Sequence, residues 1–114
     1  MNKFDKTRRL LNKKEYDHVF CQAKKAVTDE LIILHRTNCL GYARIGLALS
    51  KKMIAKANQR NRVKRIVRES FRLHKLPAID IIVLARHGVA GVENTIINSN
   101  LSNAWEKLIT CYAN

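Results

Sequence analysis

The residues with the most chemical potential lie between positions 60 and 72, Arg-Asn-Arg-Val-Lys-Arg-Ile-Val-Arg-Glu-Ser-Phe-Arg. At about 100° per helical residue, Arg60, Lys64, Arg68, Asn61, Arg72 and Arg65 fall within one arc of roughly 140°. Ile66, Ser70, Val63, Val67 and Leu73 take the opposite side, with Phe71 at the boundary and Glu69 and Arg62 at the far edge. This pattern predicts a helix with an apolar face for a core and a face of five cations plus an amide for an anion. Guanidinium groups match phosphate oxygens in pairs, and an Asn amide can bond phosphate, sugar or base edges. Glu69, four residues after Arg65, is the one acid positioned to offset that face, and such a pair is worth only a few tenths of a kcal/mol.

Protein-borne hydrolysis is poorly supported. The acids Asp5, Glu15, Asp17, Asp29, Glu30, Glu69, Asp80, Glu93 and Glu106 are scattered, whereas paired metals need several close carboxylates. Asp80, beside an apolar run, reads as a hydrogen-bonded residue at a strand start. His18, His35, His74 and His87 could supply acid–base groups, but no two share an evident local geometry. His74 falls at the end of the basic helix, where a cation suits the dipole. Cys21, Cys39 and Cys111 form an odd set without metal-ligand spacing, so neither a disulfide framework nor a zinc site is indicated.

Composition frames these readings. The 114 residues carry 22 Lys and Arg against 9 Asp and Glu, a net charge of +13, with 46% hydrophobic residues, one Pro and four Gly. One core is affordable at this length and low complexity is excluded. The charge is segregated: residues 1–25 hold +5, residues 26–50 are neutral, residues 51–75 hold +9 and residues 76–114 hold −1. A binding face for a polyanion explains that segregation better than a solubility device does. No stretch approaches the ~18 apolar residues of a membrane span, and the N-terminus lacks a signal-peptide core, so a cytoplasmic location is expected.

The elements expected to position the basic helix have the order αββαβα. The first helix starts at Asn12, with Asn12 as cap, Glu15 in the first turn and Leu11 stapled onto Tyr16, and carries Tyr16, Val19 and Phe20 on one face to about Cys21. Residues 30–36 and 44–50 read as strands joined by a hairpin-type loop at 37–41. The basic helix covers 58–74 and stops before Pro77. Residues 79–85 form a buried central strand. A last helix spans 94–112, with Ile97, Leu101, Ala104, Leu108 and Tyr112 in one stripe and Trp105 beside it. The expected fold class is α/β (α+β): one small two-layer domain over residues 1–114, helices on a central sheet, and a basic lead at 1–9 that can be flexible.

The run at 60–72 resembles the signature helix of the bacterial ribonuclease P protein subunit. The likeness extends through KKEYDHVF at 13–20, IGLALSKK at 45–52, LPAIDIIVLAR at 76–86 and the final amphipathic helix. The resemblance implies a ribosomal-protein-like fold with a left-handed βαβ crossover. It implies a subunit of a ribonucleoprotein endonuclease that removes the 5′ leader from precursor tRNA. The chemistry then belongs to the catalytic RNA and the Mg²⁺ bound mainly by it, with no catalytic residue in the protein. By match, Arg60, Asn61, Arg62, Lys64, Arg65, Arg68 and Arg72 contact the catalytic RNA. Tyr16 and Phe20 on the first helix, with Ile33 and His35 on the first strand, line a cleft for the leader, where aromatic faces stack on unpaired bases of any sequence. His35 stands where the family commonly has an aromatic, and residues 53–59 lack a Gly that many members carry. The partners implied are the catalytic RNA and precursor tRNA, with no membrane and no small-molecule substrate. A ribosomal or general RNA-binding module is the alternative.

Overall fold

The computed structural model describes residues 9–10, 13–38 and 40–113. The chain forms α1 (Lys13–Gln22), β1 (Lys24–Val27), β2 (Leu31–Thr37), β3 (Arg44–Ala48), α2 (Ala57–Leu73), β4 (Ile79–Ala85) and α3 (Asn94–Tyr112), with a 3₁₀ turn at Val89–Gly91 before α3. The sheet order is β1-β2-β4-β3. β1–β2 and β2–β4 are antiparallel, while β3 and β4 pair in parallel around the α2 crossover.

Two sequence expectations are corrected. A strand at Lys24–Val27 was not expected, because Lys-Lys-Ala-Val is short and half charged. It survives as an edge strand, where lysines are tolerated and discourage pairing with other chains. Its turn into β2 is held by Thr28, whose hydroxyl oxygen accepts the Leu31 N–H at 2.9 Å and the Glu30 N–H at 3.3 Å. The second correction concerns β2 and β3, which do not form a hairpin, since β4 lies between them. Six of the seven β4 residues are buried, so this strand needs neighbours at both edges and apolar cover on both faces. The predicted Asn12 cap and the Leu11 staple lie outside the described residues, as do positions 1–8 of the basic lead.

The sheet divides the apolar residues by strand alternation. Leu31, Ile33, Ile45, Ile79, Ile81 and Val83 face α2 and α3 and form the main core with Val63, Val67, Phe71, Leu101 and Trp105. Phe71, at the boundary of the predicted basic face, is wholly buried and meets Trp105 edge to face at 6.3 Å. The indole N–H of Trp105 donates to Ser70 Oγ at 2.9 Å, which satisfies both buried polar groups. On the opposite face a smaller cluster joins Leu10, Val19 and Ile82 with Tyr16, Leu34, Ala48 and Leu84, and α1 is seated there.

Candidate nucleic-acid interface

α2 lays its apolar stripe on the main core, and so turns the charged arc outward. The structure sorts that arc into three groups. Among the described residues, Asn61, Lys64, Arg65 and Arg68 make no side-chain hydrogen bond or ion pair within the protein. Arg60 Nη1 instead donates to the carbonyls of Ile54 at 2.8 Å and Ala55 at 3.0 Å, holding the segment that leads into α2. Arg72 pairs with Glu69 one turn back. That pairing holds the Glu69 carboxyl below its ordinary range and raises Arg72, through the hydrogen bond first. Glu69 therefore offsets Arg72 rather than Arg65.

Arg62 differs most from its predicted role. Its Nε donates to Gln59 Oε1 at 2.8 Å, Nη2 to the Ala90 carbonyl at 2.9 Å, and Nη1 to the Val92 carbonyl at 3.2 Å and to Asn94 Oδ1. The guanidinium fastens α2 to the 3₁₀ turn and to the start of α3, whose first turn has no side-chain cap. On the helical wheel Arg62 sat at the edge of the cationic arc, and that edge is the one α3 approaches.

Three anchors fasten α1 to the sheet. Arg44 forks Asp80, with Nε to Oδ1 at 2.9 Å and Nη2 to Oδ2 at 2.8 Å, and its Nη1 reaches Glu15 of α1 at 2.8 Å. The Asp80 hydrogen bond, ahead of its charge and that of Glu15, raises Arg44 further above its ordinary value. Asp80 is 1% exposed, so its place at a strand start is that of a buried counter-ion. Arg36 Nη1 donates to the His18 carbonyl at 2.6 Å, fastening β2 to the same helix. Tyr16 closes the group by accepting the Leu47 N–H on its hydroxyl at 3.2 Å, above Gly46.

Phe20 of α1 is 47% exposed, and Ile32, Leu34 and Leu84 are half-buried on the sheet. Ile33 and His35, predicted for the leader cleft, point the other way. The period of two along β2 sends them into the core between the sheet and α3, at 0% and 4% exposure. His35 meets Tyr112 through Nδ1 at 2.8 Å, and burial, with the nearby Lys24 charge, lowers its pKa. Their neighbours Ile32 and Leu34 hold the α1 face instead. Once α1 was placed over Ile82, strand alternation alone could have identified them.

A small cavity of about 80 Å³ lies between Tyr16, Gly46 and Leu47 on one side and Lys64 and Arg68 on the other, with Arg9 and Leu10 along its rim. Arg9 and Leu10 run beside β3, where the Leu10 N–H donates to the Ile45 carbonyl at 2.9 Å. Two of the uncommitted cations of α2 therefore share a cavity with Tyr16 of α1 at the β3 edge. No local pattern signals this link, because it joins positions about fifty residues apart.

Among the described residues no three of His, Cys, Asp and Glu converge as a metal-binding group. Also among the described residues, no helix is long and apolar enough to cross a membrane.

Comparisons with known proteins bear on the family and the fold. The family model Ribonuclease P matches residues 4–109. The ribonuclease P protein component of Legionella pneumophila (strain Corby) is 61% identical over 109 residues, 96% of each chain. That of Escherichia coli O157:H7 is 43% identical over 106 residues, 91% of this chain and 89% of its own. Among solved structures, the RNase P protein of Staphylococcus aureus superposes with a TM-score of 0.82 at 25% identity, covering 90% of this chain and 97% of that one. The Thermotoga maritima protein gives 0.77 at 29% identity, covering 87% and 96%. On this evidence the chain belongs to the ribonuclease P protein family, as the protein component of an endoribonuclease that works with an RNA subunit in processing the 5′ leader of tRNA.

Proposed function

We propose that the protein acts as one RNA-binding unit with two adjoining surfaces. α2 docks on the catalytic ribonuclease P RNA through Asn61, Arg65 and Arg68, with Lys64 at the border. Arg60, Arg62 and Arg72 contribute charge around that face, and Arg60 and Arg62 also hold the helix in place. The α1 cleft receives the single-stranded leader of precursor tRNA, using Tyr16 and Phe20 with Ile32, Leu34 and Leu84. The observation that carries this reading is the junction of Lys64 and Arg68 with Tyr16 across the β3 edge. A backbone leaving the cleft there meets cations at once, and stacking with charge neutralisation is what an unpaired strand of arbitrary sequence requires.

Mg²⁺ belongs to the RNA in this reading, and the protein's charge lowers the Mg²⁺ concentration at which RNA and substrate associate. The expected compartment is the cytoplasm. The test is reconstitution at low Mg²⁺ with leader-bearing precursor tRNA, comparing protein alone, ribonuclease P RNA alone and both together. Cleavage only in the combined arm supports the reading. Cleavage by the protein alone overturns it, and no stimulation of the RNA leaves a general RNA-binding module.

A further inference from the structure

We infer that the flank of α2 facing α3 carries a pocket for a single unstacked nucleobase of the RNA partner, with preference for the keto bases uracil and guanine. This inference rests on the RNA-docking role proposed for α2. A cavity of about 350 Å³ is lined there by Asn58, Asn61, Arg62, Arg65, Ile66 and Asn94. Such a volume is at the lower end of the ~300–1,000 Å³ of small-ligand pockets. Its exposed lining is mostly carbon, which does not suit a bare phosphate but suits the face of a base.

Arg62 is the wall. Its edge donors are engaged with Gln59, Ala90, Val92 and Asn94, so what it offers to an occupant is its aliphatic stem and the plane of a fixed guanidinium. Unpaired RNA bases stack on such planes. Ile66 supplies apolar contact.

The amides set the edge preference. Asn94 Oδ1 is taken by Arg62, and Asn58 Oδ1 accepts the Gln59 N–H at 2.9 Å, which leaves the NH₂ groups of both to donate. Asn61 has both its amide atoms available, and Arg65 brings further donors at the rim. A donor-rich lining matches base edges that present carbonyl oxygens. Arg65 can hold the adjoining phosphate. Lys64 and Arg68 lie on the other flank, toward Tyr16, so the base is assigned to the catalytic RNA and not to the leader.

The test fills the pocket without changing charge. Asn58→Phe on α2 and Asn94→Leu on α3 are compared with the wild type for binding to ribonuclease P RNA and, separately, to precursor tRNA. Folding is checked by circular dichroism, and having the two variants on different elements guards against a local packing failure in either one. Carbodiimide probing, which modifies unpaired uracil and guanine, is read beside dimethyl sulfate for adenine and cytosine. Hydroxyl-radical cleavage follows the RNA backbone.

The wild type is expected to protect one unpaired uracil or guanine of the catalytic RNA. Either variant exposes it at saturating protein while backbone protection persists. Affinity falls about tenfold, and the salt dependence is unchanged because no cation has been lost. Full affinity with unaltered protection in both variants overturns the pocket. Protection that moves on adenine or cytosine overturns the keto preference, and protection found on precursor tRNA alone overturns the assignment to the catalytic RNA. A wild type that binds neither RNA overturns the docking role itself, an outcome distinct from all of these.

Discussion

The tip of the Tyr16 ring occupies the space that a side chain at position 46 would need. An ideal Cβ on Gly46 would come within 2.5 Å of Tyr16 Oη and 2.6 Å of Cζ. The glycine is therefore required by the close approach of α1 to β3, and the hydrogen bond from the Leu47 N–H keeps the ring there. Gly46→Ala is expected to displace Tyr16, with an overpacking cost of about 1–3 kcal/mol and a melting temperature lower by several degrees. Precursor tRNA affinity should fall with it. A thermal melt and a binding curve check both, and an unchanged pair would mean that Tyr16 swings aside without consequence.

Arg62 and Arg65, three positions apart, should fail differently. Arg62→Met removes the donors that hold the Ala90 and Val92 carbonyls and should cost about 2 kcal/mol of stability. Among the described residues Arg65 has no hydrogen-bond or ion-pair partner, so Arg65→Met should leave stability within about 0.5 kcal/mol. Its effect should appear in RNA binding, with the salt slope reduced by about 1. Denaturant midpoints and salt titrations distinguish the two, and equal losses of stability would show that Arg65 has a structural partner.

The cleft makes an analogous division. Phe20→Ala, at a half-exposed site, should leave the melting temperature nearly unchanged and weaken precursor binding relative to leaderless tRNA. Ile33→Ala, at a buried site on the other face of the sheet, should cost about 2–5 kcal/mol without selectively affecting leader-bearing RNA. A leader-specific loss from Ile33→Ala would restore that residue to the cleft.

His35 gives a pH dependence of definite sign. Burial, with the Lys24 charge secondary, lowers its pKa in the folded protein. The unfolded chain therefore binds the proton more readily, and stability rises with pH between the folded value and the ordinary value of about 6.5. The contribution is complete above that ordinary value and is lost as the pH falls toward the folded one. Chemical denaturation from pH 8 to pH 5 should show the fall, and His35→Gln should flatten it. An identical profile in the variant would show that His35 does not carry the dependence.

The sequence alone determined α2, β4, α3 and the chemistry of the exposed helix face. Hydrophobic periods of 3.6 and the nearly continuous apolar run at 79–85, interrupted by Asp80, are local signals, and the helix bounds at 94–112 match the observed ones. The family likeness, carried by the run at 60–72, is also local. Tertiary structure decided what locality cannot encode. Lys24–Val27 became a strand because β2 offered it a free edge. β4 entered between β2 and β3 because its two apolar faces demanded the centre. Tertiary structure also decided which cations are committed. Arg60, Arg62 and Arg72 share a composition class with Arg65 and Arg68, yet among the described residues the first three reach carbonyls or a carboxylate and the last two do not. Ile33 and His35 face the core and not α1 for the same reason. A strand exposes alternate residues to opposite sides, and only the docking of α1 over Ile82 and Gly46 decides which side is the cleft.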